Sequence, residues 1–234
     1  MLTEPPPTLS RRGGPAVDDR ARAAALRTFG GALAGAFVLL AVLTMVDVFR
    51  GPDQSADDAL NRFALSHGGI TDLLKAVTQA GEPTVTLGIG LLVAVGFTVA
   101  RRHGSALFAA AAVIGAYGIA FVGKEVVHRH RPRWDAAHTV VPEHGASFPS
   151  GHATGTSALA AVLIVAAVPL LAFLAARSAA VIVLVLYVLV MVFSRPILGV
   201  HFPTDVLAGV LLGTGWTLLC ASWLRPWRSR PSAG

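Results

Sequence analysis

Charge is scarce in this sequence. Only 14% of its 234 residues are Asp, Glu, Lys or Arg, against about 25% in soluble domains. A chain so poor in charge cannot cover a water-facing surface, which excludes an ordinary soluble enzyme. Its 54% apolar content excludes a disordered chain. Cysteine is scarcer still. Cys220 stands alone inside an apolar run, so no internal disulfide can form and a disulfide-stapled scaffold is excluded. As a small hydrophobe it is packing material. With a mean hydropathy of +0.64, what remains is an integral membrane protein.

Long apolar runs carry the fold. Phe29–Phe49, Pro83–Ala100, Ser105–Gly123, Ala153–Ala176, Ala179–Ser194 and Val206–Leu224 lie near the ~20 residues that a helix needs to cross the hydrocarbon core. The expected fold is all-α, a polytopic membrane bundle of six transmembrane helices over residues 29–225. Phe29–Phe49 is too long for the apolar core of a signal peptide and reads as a retained span. Residues 1–28, with Pro5-Pro6-Pro7 and Gly13-Gly14-Pro15, read as a disordered cytoplasmic tail. Residues 226–234 form a short basic one. Gly51–Glu82 reads as a connection whose short amphipathic turns lie at the interface.

A net charge of +6 would suggest nucleic acid in a soluble protein. Here the basic residues flank apolar runs, so they orient the chain in the membrane and no nucleic-acid partner is expected. Eleven of the 19 Lys and Arg fall on the side of the termini and eight on the other. The eight include residues assigned below to chemistry, so the orienting excess is larger than the raw count. Both termini are expected in the cytoplasm of a multi-pass cell-membrane protein. Trp216, Trp223 and Trp227 suit an interfacial aromatic belt.

Polar residues concentrate in three clusters, all on the outer side. Ionisable groups near a membrane core are costly, so their convergence marks a functional site. The first cluster runs from Lys124 to Pro132. If the preceding helix continues, Lys124, His128 and Arg131 share one face, and Pro132 ends it. Two cations two turns apart suit a phosphate, with Arg131 able to fork across two oxygens. A snorkelling basic stretch is the alternative. His128 and His130 lack a matching carboxylate and argue weakly for metal. The second cluster, Phe148-Pro149-Ser150-Gly151-His152, opens directly into an apolar run. Ser150 suits an N-cap and Gly151 permits close backbone approach, so the helix N-terminus can take an anion with His152 at its lip. The third runs from Ser194 and Arg195 to His201 and Asp205. Pro203 suits a first helical position. Asp205 can reach back to His201 and set its tautomer, leaving the other nitrogen free as a nucleophile.

Lys124 followed by six residues and Arg131-Pro132, then Pro149-Ser150-Gly151-His152, then Ser194-Arg195 followed by five residues, His201, three residues and Asp205 resemble the three signature motifs of the type-two phosphatidic acid phosphatase and vanadium haloperoxidase superfamily. The match extends over roughly Pro83 to Leu224. The resemblance implies that His201 attacks phosphorus and forms a phosphohistidine, with Asp205 orienting it. It implies that His152 protonates the leaving oxygen and then takes a proton from the hydrolytic water. Lys124, Arg131 and Arg195, with Ser150 and the Gly151 N–H, would hold the phosphate oxygens. No metal or cofactor is implied, because three cations already neutralise the phosphate. Gly199 only allows the turn before His201.

The expected activity is therefore that of an integral membrane lipid phosphate phosphatase. Undecaprenyl diphosphate, phosphatidic acid and phosphatidylglycerophosphate are the candidate substrates, and the outward site favours the isoprenoid diphosphate. The loop 133–148, with Trp134, Asp135, His138, Glu143 and His144, is a candidate headgroup selector. A noncatalytic lipid-binding protein with a lapsed site is one alternative, against which the intact His152, His201 and Asp205 argue. A vanadate-dependent haloperoxidase is another, although those relatives are soluble.

Overall fold

The computed structural model describes residues 15–135 and 138–228. They form eight α-helices: α1 Pro15–Met45, α2 Arg50–Ser66, α3 Gly68–Thr78, α4 Pro83–Val99, α5 His103–Val127, α6 Gly151–Val162, α7 Leu174–Ile197 and α8 Pro203–Leu224. No strand occurs among the described residues, in keeping with the all-α expectation. Five stretches (in α1, α5, α6 with its continuation, α7 and α8) are each long and apolar enough to cross a membrane. A sixth is α4 together with Gly68–Gly81 before it, bent by 41° at the break. Their outer faces are apolar throughout: Leu92, Val99, Phe121, Leu174 and Phe193 stand exposed, as lipid-facing side chains should.

Three boundaries differ from the sequence expectation. The first helix begins at Pro15, well before Phe29, so part of the expected disordered tail is helical; residues 1–14 lie outside the described residues. Asp19 explains the early start. It accepts from Arg225 at 3.3 Å and also from Trp227 and Arg228, tying the start of α1 to the end of α8. The run Ala153–Ala176 is interrupted. Past Val162 the helix loosens into a π turn and a short 3₁₀ turn that ends at Leu170, where Pro169 removes a backbone donor. Arg177 belongs to the first turn of α7 and donates to Leu171 O at 2.9 Å and Pro169 O at 3.2 Å. The connection between the first two spans is two full helices, α2 and α3.

The aromatic belt is also thinner than expected. Trp216 donates to Ala111 O at 3.1 Å inside the bundle, packed where a side chain on Gly115 would collide with its indole. Trp227 lies under Arg22, 4.3 Å from the ring centroid. Of the three, Trp223 is the one that faces outward.

Two small-residue contacts draw the motifs together. A Cβ on Gly209 of α8 would lie 2.7 Å from Ser150 O, and one on Gly213 would lie 2.3 Å from Thr154 O. Backbone approach this close is open only to glycine. It seats α8 against the start of α6, so the helices that carry His152 and Asp205 begin side by side. The Ser150 N–H donates to Asp205 O at 2.9 Å and joins the two motifs directly.

Candidate active site

α5 delivers Lys124 from its last turn, and the ammonium donates to Ala146 O at 2.7 Å. The helix stops at Val127. His128 takes a left-handed conformation, φ +48°, and its N–H caps Lys124 O. Lys124, His128 and Arg131 therefore do not share a helical face, as a continued helix would require. His128 points outward near Glu125. The turn instead directs both Arg129 and Arg131 inward from a non-helical segment.

Arg131 is the hub. Its Nη1 lies 3.0 Å from His201 Nε2, 2.8 Å from Val200 O and 2.6 Å from Glu143 Oε2, and its Nε donates to His144 O at 3.2 Å. Arg195, in the last turn of α7 and only 2% exposed, donates to Thr78 Oγ1 at 3.1 Å and pairs with the other oxygen of Glu143. Glu143 thus lies between the two arginines as a forked acceptor. Burial pushes its carboxyl up, but Arg195 and Arg131 outweigh that and hold it below the usual carboxylate value.

His201 is reached through a turn at Gly199, where φ is +70°. Trp134 donates to Gly199 O at 3.0 Å, and its Nε1 would lie 2.7 Å from any Cβ there. Both the backbone angle and the space demand glycine. Asp205 turns back from the first turn of α8. Its Oδ2 accepts the Phe202 N–H at 3.0 Å and faces His201 Nδ1 at 3.6 Å. A guanidinium can only donate, so its contact with His201 Nε2 requires a lone pair on that nitrogen. The ring proton then sits on Nδ1, toward Asp205. Burial, followed by Arg131, Arg195 and Lys124, holds the imidazole well below its ordinary pKa. His201 is a neutral base with its lone pair aimed into the cationic cradle.

The second motif arrives differently from expectation in one detail. Ser150 occupies the N-cap position, but its hydroxyl makes no cap bond and is buried without a partner among the described residues. Gly151 follows in the first turn of α6, where a Cβ would lie 3.2 Å from Pro83. His152 lies with Nε2 3.2 Å from Glu82 Oε2. All eight residues named from the sequence stand at one end of the bundle. Lys124, Arg131 and Arg195 converge on His201 and Glu143. Ser150 joins Asp205 through the α6–α8 contact, and His152 faces Glu82 and the three cations.

Four participants escaped sequence reasoning: Arg129, Asp53, Glu82 and the cradle role of Glu143. Arg129 bridges Asp205 and Asp53 at 2.7 and 2.6 Å. A signal for Asp53 was present, because Asp53, Asp57 and Asn61 recur every four residues and form the buried face of α2. Its apolar Phe63 and Leu65 are exposed, the reverse of a water-bound helix. Among the described residues no group of three or more His, Cys, Asp or Glu is arranged to hold a metal ion. Beside the cradle, a cavity of about 330 Å³ is lined by Trp134, Thr139, His144 and Gly199, and it shares Arg131 and Glu143 with the site.

Residues 105–229 match the family model of the PAP2 superfamily. The chain is 38% identical over 114 residues to decaprenylphosphoryl-5-phosphoribose phosphatase of Mycobacterium tuberculosis, and the match covers 48% of this chain and 58% of that protein's length. It is 33% identical over 166 residues to the protein of the same name from Mycolicibacterium smegmatis, covering 70% of this chain and 84% of that protein. In fold it is similar to the crystal structure of a transmembrane PAP2-type phosphatidylglycerolphosphate phosphatase from Bacillus subtilis. The TM-score is 0.70 over 83% of this chain and 94% of that one, at 24% identity.

Proposed function

The chain belongs to the PAP2 superfamily, and from that membership and the site geometry we propose that it is an integral membrane phosphatase that removes a phosphate from a lipid through a phosphohistidine on His201. The observation that carries the proposal is the His201 lone pair, 3.0 Å from Arg131 Nη1 and backed on Nδ1 by Asp205. A neutral imidazole that keeps the lone pair on Nε2 is the form a nucleophile requires.

The substrate phosphate replaces the Glu143 carboxylate between Arg131 and Arg195, both being forked acceptors for the same guanidinium donors. Lys124 adds the third cation. His201 Nε2 attacks phosphorus in line, and the bond to the leaving oxygen breaks as that oxygen takes a proton from His152. Water then attacks the phosphohistidine and gives a proton to His152, so the P–N bond breaks and phosphate leaves. The ring returns to its starting form. Three fixed cations and the buried Ser150 hydroxyl stabilise the charge as it shifts to the equatorial oxygens. Their charge performs the neutralisation that a divalent metal would supply, so no metal is assigned a step.

Two relatives are named for a decaprenylphosphoryl-5-phosphoribose, a phosphomonoester at the end of a prenyl-linked sugar. The cavity of about 330 Å³ that opens onto Arg131 suits a headgroup of that bulk. The substrate class we assign is a terminal phosphate on a lipid-linked headgroup, with the apolar exterior of the bundle giving the tails lateral access. The basic-residue bias puts the termini in the cytoplasm and the site at the outer face.

Phosphate release from a panel of decaprenylphosphoryl-5-phosphoribose, undecaprenyl diphosphate, phosphatidic acid and phosphatidylglycerophosphate tests the proposal on detergent-purified protein. Wild type should turn over at least one of them, with excess EDTA present. Radiolabelled phosphate should be trapped on wild type and not on His201→Ala. Label retained by His201→Ala removes His201 as nucleophile, and a chelation loss restored by a divalent ion removes the metal-free chemistry. Absence of turnover on every member would leave a lipid-binding protein.

A further inference from the structure

Asp205 stands behind His201, and what stands behind Asp205 comes from outside the three motifs. Arg129 Nη1 donates to Asp205 Oδ1 at 2.7 Å, and Nη2 donates to Asp53 Oδ2 at 2.6 Å. Asp53 belongs to α2 and also accepts the Thr204 N–H at 3.3 Å. The Thr204 hydroxyl accepts from Arg129 at 2.7 Å and donates to Asp53. The guanidinium lies over the Phe202 ring, 4.2 Å from its centroid, which fixes its plane. Asp53 and Asp205 are 3% and 0% exposed. One arginine thus clamps two carboxylates that are far apart in the chain, and one of them touches the nucleophile.

A carboxylate removed from water either pairs with a cation or takes up a proton. The groups facing Asp205 are Arg129, His201, Lys124 of α5, Arg131, Asp57 of α2 and the Ser147 hydroxyl, with Asp53 on the far side of Arg129. Arg129 is the cation in direct contact with it. A protonated Asp205 would lose its electrostatic pull on the Nδ1–H of His201, which it faces at 3.6 Å without a hydrogen bond. The proton could then move to Nε2 and block the attacking lone pair.

We propose that Arg129 and Asp53 are positioning residues, which keep Asp205 ionised and aimed so that His201 retains its Nδ1–H tautomer and presents Nε2 to phosphorus. The proposal rests on the reading of His201 as the nucleophile. It makes the interfacial helix α2 a part of the catalytic apparatus. In Arg129 itself, burial works against the charge, and Asp205 and Asp53 more than offset it, so its pKa is raised.

The test uses the full chain in detergent, as wild type, Arg129→Gln, Arg129→Lys and Asp53→Asn. Phosphate release is followed against pH, vanadate serves as a probe of the cradle, and histidine labelled with ¹⁵N reports the tautomer. Arg129→Gln should lower kcat by about 10–10²-fold with KM within about threefold, since the lost interaction acts on the nucleophile and not on substrate binding. The acid limb of kcat/KM should move up by about one pH unit. Arg129→Lys should return the limb toward wild type while recovering only part of kcat, because an ammonium keeps the charge without the fork. Asp53→Asn, which leaves the Arg129–Asp205 pair in place, should reduce kcat by a smaller factor. Vanadate affinity should stay within about threefold in all three, because the cradle is untouched.

Unchanged kcat and an unmoved acid limb in Arg129→Gln would overturn the proposal. So would parallel loss of vanadate affinity and kcat, the mark of a purely structural role. If Arg129→Gln fails to fold, Asp53→Asn and Arg129→Lys decide by the same criteria. Wild type that releases no phosphate from any lipid refutes the phosphatase reading instead. The ¹⁵N signals then still judge the clamp: an Nδ1–H tautomer at His201 that is lost in Asp53→Asn or Arg129→Gln supports it, and an unchanged tautomer overturns it.

Discussion

At the scale of single residues, the proposed chemistry depends on keeping His201 uncharged among three cations. Burial and then Arg131, Arg195 and Lys124 depress its pKa well below the ordinary value of about 6.5. Protonation would remove the attacking lone pair, so activity is lost only as pH falls through that depressed value. The kcat/KM profile should stay level from neutral pH to well under 6.5, and an acid limb centred near that value would show that His201 is not held neutral. Glu143 sets a second expectation. Its carboxylate is ionised at neutral pH and competes with any anion for Arg131 and Arg195. Glu143→Gln keeps the shape and removes the charge. Vanadate should then inhibit about tenfold more strongly, a change worth about 1.4 kcal/mol. Equal or weaker inhibition would mean that Glu143 supports the arginines without competing for them.

The elements explain why these residues meet. α6 and α8 touch through Gly209 and Gly213, α5 ends early at a left-handed His128, and α2 turns its polar face inward. That inward face carries a cost. Asp57 is fully buried, and neither of its oxygens has a hydrogen-bond partner among the described residues. Burial, then Asp58, Asp205 and Asp53, pushes its pKa up to about 8. An unfolded aspartate titrates near 3.9. Between those two values the folded chain binds a proton that the unfolded chain does not, so stability declines as pH rises from about 4 to 8. Asp57→Asn cannot ionise. It should melt higher than wild type at pH 8 and close to it at pH 5, by about 2–4 °C for each kcal/mol recovered. A variant that melts lower than wild type at both pH values would show that the carboxyl makes a contact the amide cannot.

For the whole molecule, the two ends of the bundle have separate duties. Asp19, Arg225, Trp227 and Arg228 close one end, while every residue of the proposed site lies at the other. The start of α1 and the end of α8 therefore share a side of the membrane. On the proposed topology, which the positive-inside bias supports, that side is the cytoplasmic one. In a Cys220→Ala background, Thr139→Cys in the loop over the site should react with an impermeant maleimide in intact cells. His103→Cys, at the start of α5, should react only after permeabilisation. The reverse pattern would place the chemistry at the inner leaflet and remove the case for an outer-leaflet substrate.

Hydropathy is additive along a chain, so the apolar runs alone determined a helical membrane protein, including the span that the structure bends before Pro83. The three motifs were equally legible, because the spacings within each are short: Lys124 to Arg131, Ser150 to His152, and Arg195 to Asp205. What local spacing could not carry was decided by tertiary contact. Arg129 meets Asp53 and Asp205 across 76 residues each, and Thr204 meets Asp53 across 151. Glu143 was visible as a loop carboxylate, but its seat between Arg131 and Arg195 exists only once the segment after α5 and the end of α7 are brought to the same loop. The buried polar face of α2 was out of reach for the same reason: Asp53 and Asp57, four residues apart, share a face but carry no sign of its burial until the fold supplies Arg129 to meet Asp53. Charge in a low-dielectric site is defined by its partner, and the partner is chosen by packing.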